Sequence, residues 1–150
     1  MSKTSVDEIL DYAIQAEQNA VDLYTDLAAK TKSPSAKVAF EEYADEERVH
    51  KTKLLEVKSG KRLIKSAEQV LDLKISDYTV TQELGDAPDY QDVLLFAMQQ
   101  EKAAFKLYTH LANETDDADI KKLFLGLAQE EAKHKLRFEI EYDDNIFQEN

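Results

Sequence analysis

The chain has no cysteine, only three glycines and two prolines, and no apolar run that would span a membrane. Each absence removes a class of explanation. Without cysteine there is no disulfide, no thiolate nucleophile, no zinc ribbon and no iron–sulfur cluster, so any metal must be held by oxygen and nitrogen. Without a stretch of about 20 apolar residues or an apolar signal core at the N-terminus, the expectation is a cytoplasmic protein with no membrane partner. Positive charge is scarce as well. Lys and Arg number 19 against 31 Asp and Glu, a formal net charge of -12, and this excludes the basic face that nucleic-acid binding needs. The one basic run, Lys58, Lys61, Arg62 and Lys65, reads as a solvated helix end favoured by the helix dipole.

With so few residues that stop helices, apolar positions recurring at spacings of three and four predict long helices and little else. At 150 residues the chain is expected to form one domain with a core of ordinary size. The first helix should start at a capping box of Ser5 and Glu8 and run to about Ala29. Ser33 and Pro34 suit the start of a second, which should continue to about Lys58, with Gly60 able to stop it. A third is expected from near Asp89 to near Asn113, and a fourth from about Asp117 to Tyr142, followed by a polar tail. Residues between Gly60 and Pro88 form a long link in which VLDLKI is either strand-like or a short helix. Two helix pairs, each closed by a tight turn and therefore antiparallel, joined by such a crossover, make an all-α four-helix bundle.

What is present most tellingly is a repeat. Residues 13–58 align with 97–142 without a gap, and 17 of the 46 positions are identical. The shared positions pair Glu17 with Glu101, Tyr24 with Tyr108, Phe40 with Phe124, Glu46 and Glu47 with Glu130 and Glu131, and His50 with His134. A common apolar rhythm would not by itself place histidine, a residue this chain uses three times, at matching points in both halves.

Glu17 and Glu101 fall within the apolar stripes of helices 1 and 3, where an unpartnered ionised carboxylate costs several kcal/mol. The three arginines, Arg48, Arg62 and Arg137, lie outside the stripes that carry these carboxylates, so a metal cation is the natural compensation. Helices 2 and 4 supply Glu47 with His50 and Glu131 with His134. Three-residue spacing brings each pair to one face about 60° apart around the helix axis. One Glu-x-x-His is a weak signal, and two in register within a repeat are a strong one. Four carboxylates and two imidazoles so disposed are the inventory of ferritin-like di-iron and di-manganese bundles.

The segments AEQNAVDLY and DEERVH, then QEKAAFKLY and QEEAKH, resemble the rubrerythrin-like branch of the ferritin-like superfamily. The resemblance implies a ferritin-like bundle in which Glu17 and Glu101 are terminal ligands, Glu47 and Glu131 bridge, and His50 and His134 are nitrogen donors. It implies two iron ions, with manganese as the alternative, about 3.5 to 4 Å apart. It further implies reaction with peroxide or dioxygen, and by analogy a homodimer. The chain departs from the family twice. It lacks the cysteines of a rubredoxin-like domain, so electrons are expected from a separate rubredoxin or reductase. Ala104 stands where the family has an additional glutamate, which leaves the peroxidase cycle without one of its residues. The alternative is a ferroxidase-type iron-handling protein.

Further residues extend the site. Tyr24 and Tyr108, two turns beyond Glu17 and Glu101, are candidates for catalytic hydroxyls bonded to a ligand carboxylate, against an ordinary role as core aromatics. Glu46 and Glu130 occupy positions that in similar bundles accept a proton from the histidine on the opposite helix, against a role as solvated charges. Ala20 and Ala104 are expected to leave room for a small oxidant. His110 should be an ordinary surface residue, and Gly126 is expected to mark a close helix contact. Inequivalence between the two metal positions is expected where the halves differ, at Ala16 and Gln100, Glu42 and Gly126, and Asp45 and Gln129.

Overall fold

The computed structural model describes residues 4–60, 70–71 and 89–149. In chain order they form β1 (Thr4–Ser5), α1 (Val6–Lys30), α2 (Pro34–Gly60), β2 (Val70–Leu71), α3 (Tyr90–Glu114) and α4 (Ala118–Glu149). The remainder of the basic run beyond Lys58 and most of the crossover lie outside the described residues, as does the Ser5 side chain of the expected capping box. Within the crossover, the one described piece is strand. Thr4 pairs with Leu71 and Ser5 with Val70, antiparallel.

Side-chain caps set the other helix starts. Ser33 Oγ accepts from the Ala36 amide at 3.2 Å, Asp89 Oδ1 from the Asp92 amide at 2.8 Å, and Asp117 Oδ1 from the Ile120 amide at 3.1 Å. Each satisfies a donor that the first turn of a helix leaves free. The one boundary that moves far is the last. Residues expected as a polar tail continue α4 to Glu149. No glycine or proline follows Gly126, and extending a helix already nucleated costs little.

α1 packs chiefly on α2 and α3 on α4, and the pairs meet through α1 with α3 and α2 with α4. Two apolar clusters show how they run. One gathers the start of α1, the end of α2, the end of α3 and the start of α4, with Leu10, Leu54, Leu111 and Phe124 among its members. The other gathers the opposite ends, including Leu27, Phe40, Leu94 and Phe138. Hence α1 is antiparallel to both α2 and α3. The end of α2 and the start of α3 lie at opposite ends of the bundle, which is why the link between them must be long. Among the described residues no helix is long and apolar enough to cross a membrane.

Gly126 contradicts its expected role. A Cβ built there meets nothing within 4 Å, so no neighbouring helix requires a glycine. Gly126→Ala should therefore stabilise the protein by up to about 1 kcal/mol through helix propensity. The expected readout is a rise in the denaturation midpoint with an unchanged m-value.

Candidate metal centre

Between the two apolar clusters lies a polar layer. Glu17, Glu47, His50, Glu101, Glu131 and His134 are all buried, none more than 2% exposed. Their donor atoms form two groups, Glu17, Glu47, His50 and Glu131 in one and Glu47, Glu101, Glu131 and His134 in the other. Within each group the atoms lie within 4.8 Å of one another. Glu47 and Glu131 belong to both.

The histidines orient alike. His50 Nδ1 is 2.7 Å from Glu47 Oε1, 3.4 Å from Glu17 Oε2 and 3.5 Å from Glu131 Oε1. His134 Nδ1 is 2.8 Å from Glu101 Oε2, 3.6 Å from Glu131 Oε1 and 3.9 Å from Glu47 Oε2. A single ring nitrogen cannot hydrogen-bond three carboxylates. Both Glu47 oxygens, Glu131 Oε1 and His50 Nδ1 are buried without a hydrogen-bond partner, an arrangement that folding alone does not reward. Convergent oxygen and nitrogen lone pairs of this kind suit a hard or borderline cation.

The electrostatics agree. Burial first, then the neighbouring carboxylates Glu101 and Glu17, push Glu47 well above the usual carboxylate range. Burial and the same two neighbours do the same to Glu131. Glu101 is also raised by burial, against the hydrogen bond and charge of His134, which pull it down. For His50, burial works against the charged form but the nearby Glu17 and the other surrounding carboxylates prevail, and it is pushed up to about 9.

The outer ring nitrogens point away from the cluster. His50 Nε2 is 3.2 Å from Glu130 Oε2, and His134 Nε2 is 3.6 Å from Glu46 Oε2. Each contact joins a histidine to the opposite helix, so Glu46 and Glu130, though partly exposed, face the imidazoles. Neither Nε2 is in hydrogen-bonding geometry here; a carboxylate drawn onto it would place the proton there and leave Nδ1 as the lone-pair donor.

The repeated tyrosines do not behave alike. Tyr108 donates its hydroxyl to Glu17 Oε2 across the two halves. Tyr24 is buried beside Glu101, but its hydroxyl has no partner in hydrogen-bonding geometry. Tyr108→Phe should cost the metal-free protein roughly 1 to 3 kcal/mol, the range for leaving a buried acceptor without its donor. Tyr24→Phe should be near neutral, and urea denaturation of both variants measures the difference.

Tyr43 was not among the residues expected from sequence. Its ring centroid lies 4.2 Å from that of His134, with the planes tilted by 33°. Tyr24 meets the same imidazole edge-on at 5.9 Å. The repeat carried the signal, because Tyr43 aligns with Leu127, so one histidine has an aromatic wall that the other lacks. His110 departs from expectation in being half-buried, and it joins neither ligand group. Arg137, expected outside the stripes, is half-buried with its Nε enclosed and unpartnered, while Arg48 pairs with Asp45 on the surface at 2.5 Å.

A cavity of about 30 Å³ adjoins the cluster between α1 and α3. Glu17, Glu101, Glu131 and Tyr108 line it together with Ala20 and Ala104. Space for a water needs about 10 to 15 Å³ on this measure, so a molecule of two heavy atoms is admitted.

Comparison with known proteins fits this geometry. The family model described as Rubrerythrin matches residues 8–142. The chain belongs to the rubrerythrin family. Among solved structures, this rubrerythrin-family chain is similar to a hypothetical protein from Pyrococcus furiosus, at 28% identity over 93% of this chain and 89% of that one, with a TM-score of 0.73. It is also similar to a candidate ferritin-like diiron-carboxylate protein from Thermotoga maritima, at 20% identity over 97% and 99% of the two chains, with a TM-score of 0.81. The second likeness establishes the ferritin-like fold. No curated protein matches the chain.

Proposed function

We propose that the protein is a cytoplasmic non-haem di-iron carboxylate protein that reacts with peroxide or dioxygen, using electrons from a separate donor such as rubredoxin or a reductase. The observation that carries this reading is the convergence of both histidine Nδ1 atoms and four carboxylates in a buried layer beside a cavity of two-atom size. Glu17 and Glu101 would be terminal ligands, one to each metal. Glu47 and Glu131, common to both groups, would bridge, and His50 and His134 would each supply Nδ1. Bound there, a pair of iron ions supplies the electrons for cleaving an O–O bond, and manganese would fit the same donors.

The chain's own groups do the rest. Glu130 and Glu46 face the outer imidazole nitrogens, where they would take up the protons and fix the tautomer once Nδ1 is engaged. Tyr108 holds Glu17 in place and presents a hydroxyl at the cavity wall. Ala20 and Ala104 keep the space beside Glu17 and Glu101 open, while the apolar clusters on either side exclude bulk water. None of these 150 residues is a cysteine, so none of them can hold an iron of the rubredoxin type.

The test is metal analysis followed by rapid mixing. Protein loaded with ferrous iron is expected to hold two ions per chain, to oxidise within the mixing experiment on addition of peroxide or dioxygen, and to return on re-reduction. Failure to react with either oxidant would remove the enzymatic reading. The second reading, ferroxidase-type iron handling, is favoured by Ala104, which replaces the family's additional glutamate at the cavity wall. Iron uptake continuing beyond two ions per chain would select it, whereas sustained peroxide consumption at two ions would select the first.

A further inference from the structure

The two histidines of the metal centre are backed by unlike packing. His134 sits among rings: Tyr43 lies against its face with centroids 4.2 Å apart, and Tyr24 meets it edge-on. Tyr43 is itself wedged edge to face against Tyr24 at 6.2 Å and Phe138 at 6.0 Å, and Phe138 stacks on Phe40. To turn away from the donor layer, the His134 imidazole has to displace a ring that two others hold. A close-packed interior offers that ring no void to move into.

The repeat puts different residues at the matching place in the other half. Leu127 aligns with Tyr43 and Gly126 with Glu42. Leu127 is buried, but it also lines a groove of about 300 Å³ together with Gly126 and Glu130. A Cβ at Gly126 would meet nothing within 4 Å, so the wall of this groove is unfilled. Glu130, one helical turn beyond Leu127, is the carboxylate that faces His50 Nε2 at 3.2 Å. The aliphatic side chain therefore has space to give way into, on the side toward which His50 points its outer nitrogen. Lys53 and Lys122 line the same groove and favour the approach of an anionic chelator.

We propose that His50 is the ligand that opens and that Tyr43 keeps His134 closed. The position made by Glu17, Glu47, Glu131 and His50 then exchanges its ion through the groove at Gly126, while the position made by Glu47, Glu101, Glu131 and His134 retains its own. The inference rests on the two-metal reading of the site. Tyr43 acts through the imidazole, so it is a positioning residue. Its effect on metal retention belongs with that of other groups that orient a ligand, about 10 to 100-fold.

Release of ferrous iron tests it without recourse to turnover. Anaerobic protein carrying two ferrous ions per chain is mixed with an excess of a sulfonated, chromophoric ferrous chelator. Two phases of equal amplitude are expected, differing in rate by about tenfold or more. Glu17→Gln should retain only the slow phase and Glu101→Gln only the fast one. Tyr43→Leu, which copies the other half, should speed the slow phase by about tenfold and leave the fast phase unchanged, whereas Tyr43→Phe, which keeps the ring, should release as the wild type does. Leu127→Tyr should slow the fast phase, and it keeps the test open if Tyr43→Leu fails to fold. A variant that merely loosened the bundle would speed both phases together. Release of both ions in a single phase would overturn the inference and leave the metal centre standing. So would a Tyr43→Leu variant in which both phases change or neither does, or a Leu127→Tyr variant with an unaltered fast phase. Failure of the wild type to take up two ions would remove the two-metal reading and this inference with it.

Discussion

Glu47→Gln is expected to empty both metal positions, whereas Glu17→Gln empties one. Glu47 belongs to both ligand groups and Glu17 to a single group, so the amide weakens two cations in the first case and one in the second. Groups that merely support a ligand change metal affinity by about 10 to 100-fold, and loss of a bridging carboxylate should exceed that range. Anaerobic titration with ferrous iron, followed by elemental analysis after desalting, should give two ions per chain for the wild type. It should give one for Glu17→Gln and none for Glu47→Gln. The metal-free proteins should rank in the opposite order, because glutamine removes a buried carboxylate that neighbouring carboxylates repel. Equal metal content in the two variants would contradict the proposed bridging role of Glu47.

Metal-free protein should lose stability as pH rises, and bound metal should remove that loss. His50 titrates in the folded protein at about 9, above its ordinary 6.5. Its contribution is therefore complete below about 6.5 and disappears as pH rises through about 9. Glu47, Glu101 and Glu131 are raised above the ordinary 4.5. A raised carboxylate has the same sign, its contribution being complete below about 4.5 and lost as pH climbs through the raised value. All four groups thus weaken the metal-free fold between mildly acidic and alkaline pH. Cations replace the protons, so metal binding should release protons and strengthen with pH. At a thousand times the dissociation constant each site adds about 4 kcal/mol. The gap in melting temperature between metal-loaded and metal-free protein should be wider at about pH 8 than at about pH 6. A gap that narrows over this interval would exclude these groups as its source.

Much of this protein was legible before any fold was considered, for reasons that are local. A helix start depends on one side chain capping one amide a few residues on, and Ser33, Asp89 and Asp117 do what their positions announce. A Glu-x-x-His pair shares a helix face whatever the rest of the chain does, so each half carries its own carboxylate and imidazole. The extension of α4 beyond Tyr142 was missed because polar composition suggested a tail, although nothing in those residues halts a helix. Gly126 was expected at a close contact because a glycine within a helix suggests one, but it faces open space.

Relations between helices were of a different kind. The residues alone specified two equivalent halves, the types of six donor groups and the need for a crossover. They could not specify that Tyr108 would reach Glu17 while Tyr24 makes no matching bond to Glu101, or that Tyr43 would lie tilted against His134 where the other half offers a leucine. That each outer imidazole nitrogen faces Glu130 or Glu46 on the opposite helix agrees with the position expected for those glutamates from similar bundles. Spacing within a helix is set by its 3.6-residue turn. Register between helices is set by how the two apolar clusters pack above and below the polar layer, and a shift of a single turn would leave the sequence pattern intact while dispersing the donor groups.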